Sequence, residues 1–232
     1  MGWDVLRALV PLVLREFREE SKFDVEKFVR KYGIERDLLL RLSRRYSDFL
    51  LLENNFLIVK DKVSLILRLL SESFSPEELL RYLSWSEFEE YTERVLEKLG
   101  FNVVKKVTFS SQGKRFEIDL VAIRGGTAFV IECKYWKRLR GRGASLAKSA
   151  KRHLERVEAF KNLAFKILGP YVHEDTLRIY PLLVSFYESD LGFVEGVPIV
   201  PISKLVAFMK RFYLYDHVIA TITVKRCRLH NG

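Results

Sequence analysis

A chain of 232 residues, 48% hydrophobic and 30% charged, carries enough apolar material for one large core or two small ones, which excludes a disordered or fibrous protein. Its two cysteines, Cys133 and Cys227, are too few for a disulfide framework or a cysteine-based zinc site, and no stretch approaches the roughly 20 apolar residues of a membrane helix. The net charge of +10 is unevenly spread: residues 137–166 hold ten Lys or Arg against two Asp or Glu, a block that either attracts a polyanion such as nucleic acid or forms a solvated helix face.

The opening, MGWDVLRALVPLVLREF, has a short apolar run broken by Pro11 and closed by charges, which makes a poor signal peptide and points to a reducing, cytoplasmic setting. Helical spacing covers residues 4–18 and 24–32, with Asp24 as an N-cap, and "IERDLLLRLSRRY" makes a third helix. In "DFLLLENNFLIVKD" two apolar runs meet at Asn54-Asn55, a pair that tolerates the positive φ of a hairpin turn. Three short helices and a hairpin in this order resemble a winged helix-turn-helix. In that reading Glu35–Tyr46 is the recognition helix, offering Arg36, Arg41, Arg44 and Arg45 to DNA, although winged helices also serve as dimerisation or docking modules.

A helix from Lys62 to Ser73 leads to Ser75-Pro76, an N-cap followed by proline at the first helical position, so a domain boundary is expected near residue 75, giving domains 1–75 and 76–232. Then "SEFEEYTERVLEKLGF" is an amphipathic helix ending at Gly100. Three strands follow, at 102–109, 115–124 and 127–135, with turns at "SSQG" and Gly125-Gly126. After a basic loop come a long helix, about Ala144–Leu168, strands in "TLRIYPLLVSFY" and "VPIVPI", a helix "SKLVAFMKRFYLY" and a last strand "HVIATITVKR". That order describes a mixed α/β sheet flanked by helices.

If Gly125-Gly126 is a two-residue turn, Asp119 faces Glu132 and Glu117 faces Lys134, on strands whose two faces are both apolar and therefore interior. Two carboxylates about 4–5 Å apart in a half-buried site repel by about 3–4 kcal/mol at an effective dielectric near 20. A shared proton or a divalent cation resolves that conflict, and an all-oxygen donor set suits Mg²⁺ or Mn²⁺. A three-residue turn would instead shift the register and separate the acids.

Asp119 followed by Glu132-Cys133-Lys134 resembles the metal site of the PD-(D/E)xK nuclease superfamily, and "FEEYTERVLEKLGF" is similar to the first helix of its Mrr-type and archaeal Holliday-junction-resolvase members. The resemblance covers about residues 85–201. It implies a restriction-endonuclease-like sheet and a Mg²⁺-dependent endonuclease acting on double-stranded or branched DNA. Asp119, Glu132, the backbone carbonyl of Cys133 and Glu89 would be the metal ligands, and Lys134 the residue that orients water or offsets charge. Mrr-type enzymes often carry glutamine where Glu132 stands, so the E-x-K form leans towards the resolvase-like or general endonuclease branch.

Alternatives stay open at several residues. Glu89 is either a ligand or the third-position partner of Ser86 in a capping box, with Glu93 as substitute acid. Glu117 can pair with Lys134, and His153, on an apolar stripe, is either a core residue or a phosphate or water contact near the metal. Lys137, Arg138, Arg140 and Arg142 follow the metal-bearing strand, where a substrate backbone passes, while Lys148, Lys151, Arg152 and Arg156 fall on the outer side of the next helix. A homodimer is plausible because cutting two strands needs two sites. The competing readings are a DNA-binding regulator on a nuclease scaffold and an RNA-processing nuclease.

Overall fold

The computed structural model describes residues 3–135, 142–186 and 192–226, and divides the chain into two compact units, Met1–Phe88 and Glu89–Gly232. The division falls inside a helix rather than at the expected position near residue 75. The reason is local: the short helix α5 (Pro76–Leu80), capped by Ser75, buries Leu79 and Leu80 and packs on α1 (Trp3–Glu16) and α4 (Lys62–Ser71).

Between α1 and α4 the first unit runs through β1 (Lys22–Asp24), α2 (Val25–Tyr32), α3 (Arg36–Arg45), β2 (Leu50–Glu53) and β3 (Phe56–Val59), with an antiparallel sheet in the order β1-β3-β2. Asp24 caps α2 as its sequence position suggested, accepting the Lys27 N–H at 2.9 Å, and the β2–β3 turn places Asn54 and Asn55 at φ 48° and 66°. β1 has no periodic signature because it is three residues long. Its pairing with β3 makes it a strand.

The second unit contains α6 (Trp85–Lys98) from Glu89 onward, β4 (Asn102–Ser111), β5 (Lys114–Arg124), β6 (Thr127–Lys134), α7 (Arg142–Lys161), α8 (Ala164–Leu168), β7 (Thr176–Ser185), β8 (Phe193–Val194), β9 (Val197–Pro201), α9 (Leu205–Arg211) and β10 (Ile222–Lys225). The sheet order is β4-β5-β6-β7-β9-β8, with β10 on the first half of β7 and β9 on its second half. β4, β5 and β6 are antiparallel neighbours, and β6, β7 and β9 are parallel, so this is the expected mixed sheet flanked by helices.

The β5–β6 turn takes two residues. Gly125 has φ 59°, and a Cβ on Gly126 would lie 2.9 Å from the Thr176 carbonyl oxygen, so the turn needs glycine for conformation at one position and for space at the other. Register follows from the turn, and Leu120 pairs with Ile131. Val121, Ile123, Ala128 and Val130 are fully buried in one core with Val157 and Phe160 of α7, while Phe129 stacks on Tyr180 and meets Phe212 edge-to-face. The long helix is interrupted. α7 stops at Lys161, the Leu163 N–H turns back to Phe160 O in a tighter turn, and α8 restarts at Ala164. Among the described residues no helix is long and apolar enough to cross a membrane.

Candidate active site

The β5–β6 ladder pairs regularly as far as Leu120 and Ile131, and one step further the register sets Asp119 opposite Glu132. At that step the side chain replaces the backbone: Asp119 Oδ2 accepts the Cys133 N–H at 2.7 Å. Glu132 is buried, 6% exposed, on the same face as Val130 and Ala128. Its carboxylate takes ion pairs from Lys134, two residues along the strand, and from Arg156 of α7, and it lies 4.0 Å from His153 Nδ1. Glu89 of α6 is near enough to Asp119 to act on its charge.

Two acids opposite each other on neighbouring strands thus receive opposite treatment. Burial, and then the charge of Glu132, push the Asp119 carboxyl up to about 6, against the hydrogen bond from Cys133, while Glu89 adds to the rise. Burial also acts on Glu132, but Lys134 and Arg156 outweigh it and hold that carboxyl below its usual range. A pair of acids driven apart in this way is a mark of catalytic sites. His153 is fully buried, its Nε2–H donating to Val130 O at 2.9 Å, and burial lowers it to about 4, so it is a neutral core histidine.

Several expected placements are corrected. Arg156 points inward to Glu132 rather than outward; its position beside the stripe of His153, Val157 and Phe160, facing a strand with a buried acid, was the available signal. Lys134 pairs with Glu132 and not with Glu117, which is exposed opposite Thr108. The capping box is Ser84–Glu87, with the Ser84 N–H donating to Glu87 Oε2 at 2.7 Å and the Glu87 N–H to Ser84 Oγ at 3.4 Å, so the cap falls two residues before the pair Ser86–Glu89. Glu93 is buried and paired with Lys105 at 2.9 Å, which commits the substitute acid elsewhere.

On the outer side of α7, Lys148, Lys151 and Arg152 are exposed, with Lys151 2.9 Å from Glu195. Lys137, Arg138 and Arg140 lie outside the described residues, and of Arg142 only its place at the start of α7 is described. In the first unit Arg36, Arg41 and Arg45 are paired with Glu26, Asp37 and Glu72 at 3.2, 2.6 and 3.3 Å, whereas Arg44 is exposed.

Among the described residues no three of His, Cys, Asp and Glu gather into a ready-made metal site, because Glu132 is turned to its two cations. The chemistry of the donors still fits a hard divalent cation. All are oxygens, and Asp119 is a half-buried acid whose charge is opposed by Glu132 and Glu89 and paired with no cationic side chain among the described residues. Glu132 joins Asp119 on such an ion only by loosening its own ion pairs.

Residues 84–185 match the model of the nuclease-related domain, and this span holds Glu89, Asp119, Glu132, Lys134, His153 and Arg156 together. An uncharacterized protein of Archaeoglobus fulgidus is 30% identical over 133 residues, covering 57% of this chain and 95% of the relative. The chain belongs to the nuclease-related domain family. Its expected place in the restriction-endonuclease-like superfamily is thereby borne out, and the whole candidate site lies inside the nuclease-related domain, between α6 and the end of β7. Among solved structures the chain is similar to a protein of unknown function, AF1548, at 18% identity and a TM-score of 0.34, covering 53% of this chain and 65% of that one. It is also similar to the small subunit of the heterodimeric restriction endonuclease R.BspD6I, at 18% identity and a TM-score of 0.34, covering 69% of this chain and 87% of that one.

Proposed function

We propose that this nuclease-related domain is a Mg²⁺- or Mn²⁺-dependent endonuclease that hydrolyses DNA phosphodiester bonds. The observation that carries the reading is the unequal pair of acids, Asp119 raised and Glu132 lowered, with Lys134 at the same strand end. Asp119, Glu132, the Cys133 backbone carbonyl and Glu89 would hold the cation, which when bound lowers the pKa of water and offsets charge on the phosphate. Lys134 orients the attacking water or offsets charge on the pentavalent phosphorus. As the water oxygen bonds to phosphorus the P–O3′ bond breaks, leaving a 5′-phosphate and a 3′-hydroxyl. Lys148, Lys151 and Arg152, with Lys137, Arg138, Arg140 and Arg142, supply the sequence-independent attraction for the backbone.

The first unit runs helix, strand, two helices and a hairpin, and we read it as a winged-helix-like docking or homodimerising module rather than a groove reader. Three of its four candidate arginines are already ion-paired. One observation favours a second reading, a DNA-binding regulator without chemistry: Glu132 is saturated by Lys134 and Arg156. Incubation of the full chain with supercoiled plasmid, flap and four-way-junction DNA under Mg²⁺ or Mn²⁺, beside Asp119→Ala and Lys134→Ala, separates the two. Cutting by the wild type alone supports the nuclease. Binding without cutting in either metal supports the regulator, and cutting that survives both substitutions removes this site from the chemistry.

A further inference from the structure

Six of the ten large hydrophobic residues exposed on the described protein fall on one short region of the second unit. Val206, Tyr213, Leu214, Tyr215 and Val218 lie on α9 and the turns after it, and Phe193 of β8 meets them, its ring 5.7 Å from that of Tyr215. Phe208 stacks on Tyr215 at 6.0 Å and 16°. Tyr213 is 63% exposed, far more than an amphipathic ring needs to reach water with its hydroxyl. Phe212 pins the region to the sheet through Phe129 and Tyr180, so the exposed rings stand on a fixed base.

The charge of this patch is one-sided. Residues 193–218 contain Lys204, Lys210 and Arg211 against two acids that are both engaged: Glu195 lies 2.9 Å from Lys151, and Asp216 is held by Arg178 at 2.5 and 2.6 Å and by Tyr180 at 2.8 Å. Among the described residues Lys210 and Arg211 are exposed and paired with no acid. A second copy of the chain docking here through a two-fold axis would bring basic residues against their own counterparts. Cations beside exposed planar rings fit instead a polyanion that has planar faces of its own.

The patch begins near the candidate site and runs away from it along the sheet. Lys134, Ser185 and Pro201 are register neighbours across β6, β7 and β9, and the chain passes from Pro201 through one 3-10 turn, Ile202–Lys204, into α9. At ~4.8 Å per strand, the start of α9 is about 10 Å from the end of the strand that carries Lys134, whereas Phe212 and Asp216 beside the exposed tyrosines lie against Phe129 and Tyr180, five residues or about 17 Å back along β6.

We propose that the α9 surface, centred on Tyr213 and Tyr215 with Lys210 and Arg211, binds unpaired nucleic-acid strand by base stacking and phosphate contact. The inference deepens the nuclease reading by naming the substrate class, a DNA with a single-stranded portion that runs from the site over α9, such as a flap or a frayed end.

The test is fluorescence anisotropy of the full chain with a labelled single-stranded 20-mer and the blunt duplex of the same sequence, in EDTA so that no cutting intervenes. The wild type should bind the single strand more tightly. Tyr213→Ala and Tyr215→Ala should each weaken it about tenfold with duplex binding unchanged, and Tyr213→Phe should bind as the wild type does. The double variant K210A/R211A should flatten the salt dependence of single-strand binding. Thermal melting of each variant shows that it is folded. Equal single-strand binding by wild type and both tyrosine variants overturns the proposal. So does retention on phosphatidylserine vesicles that Tyr213→Ala abolishes while DNA binding stays, or a dimer that Leu214→Glu dissociates with DNA binding intact. Asp119→Asn should bind the strand normally. A protein that binds the strand and cuts no DNA therefore loses the nuclease reading and keeps this one.

Discussion

At the scale of single residues, the cost of the candidate site can be measured without any substrate. Asp119 titrates near 6 in the folded protein and near 3.8 in the unfolded one, so the folded state binds the extra proton between these values. Its contribution to stability therefore falls as pH rises from about 4 to about 6 and is flat above that, a penalty of about 2 kcal/mol at neutral pH after allowance for partial exposure. Asp119→Asn keeps an oxygen for the Cys133 N–H and removes the charge. In EDTA at pH 7 it should melt about 5 °C higher than the wild type and lose the pH dependence between 4 and 6, and in Mg²⁺ it should no longer cut DNA. A lower melting point for this variant in calorimetry would mean that the acid is structural. Glu132 behaves in the opposite sense: its depressed pKa gives stability that is present above the unfolded value and lost as pH falls through the folded one. Arg156→Ala strips a buried carboxylate of a partner and should cost about 2–3 kcal/mol in urea unfolding at pH 7, with the loss shrinking in acid as Glu132 protonates. Arg156 was hidden in the sequence because helical spacing alone puts it at the edge of the apolar stripe. Only the buried charge across from it decides which way the guanidinium turns.

Among the elements, the hairpin that carries the acids was legible and the helix opposite it less so, for physical reasons. A two-residue Gly-Gly turn fixes register by itself, so the opposition of Asp119 and Glu132 follows from counting, and the apolar character of both faces announces an interior pair. The break between α7 and α8 is set at Leu163 by a single tighter turn, within a run whose composition stays helical throughout. β1 and β8 are three and two residues long, too short for any periodicity to register. The dependence of the site on the turn gives a test. At Gly126 an added methyl meets the Thr176 carbonyl oxygen at 2.9 Å, backbone that cannot move aside alone, because Arg178 N–H already donates to Gly126 O at 2.8 Å. Gly126→Ala should cost about 1–3 kcal/mol and speed amide exchange along β6, whereas Gly125→Asn, at φ 59°, should be nearly neutral. Equal stability of both variants would mean that the turn does not hold the register.

Over the whole molecule the excess of positive charge is the property that the sequence displays most openly and that structure most changes in meaning. The net +10 counts every cation alike, yet in the first unit Arg36, Arg41 and Arg45 are neutralised by acids within 3.3 Å, while in the second Lys148 and Arg152 of α7 are exposed. Such surface pairs add at most about 1 kcal/mol of stability each, so their main effect is to remove charge from the field that meets a polyanion. Each phosphate neutralised on duplex DNA contributes about 0.9 to the slope of log affinity against log salt. Lys148→Ala with Arg152→Ala should therefore flatten that slope by about 2, and Arg36→Ala with Arg41→Ala should change it by less than about 0.5, measured by anisotropy on a duplex between about 50 and 300 mM salt. If the α3 pair moves the slope as much as the α7 pair does, those arginines leave their carboxylates for phosphate, and the first unit reads DNA directly.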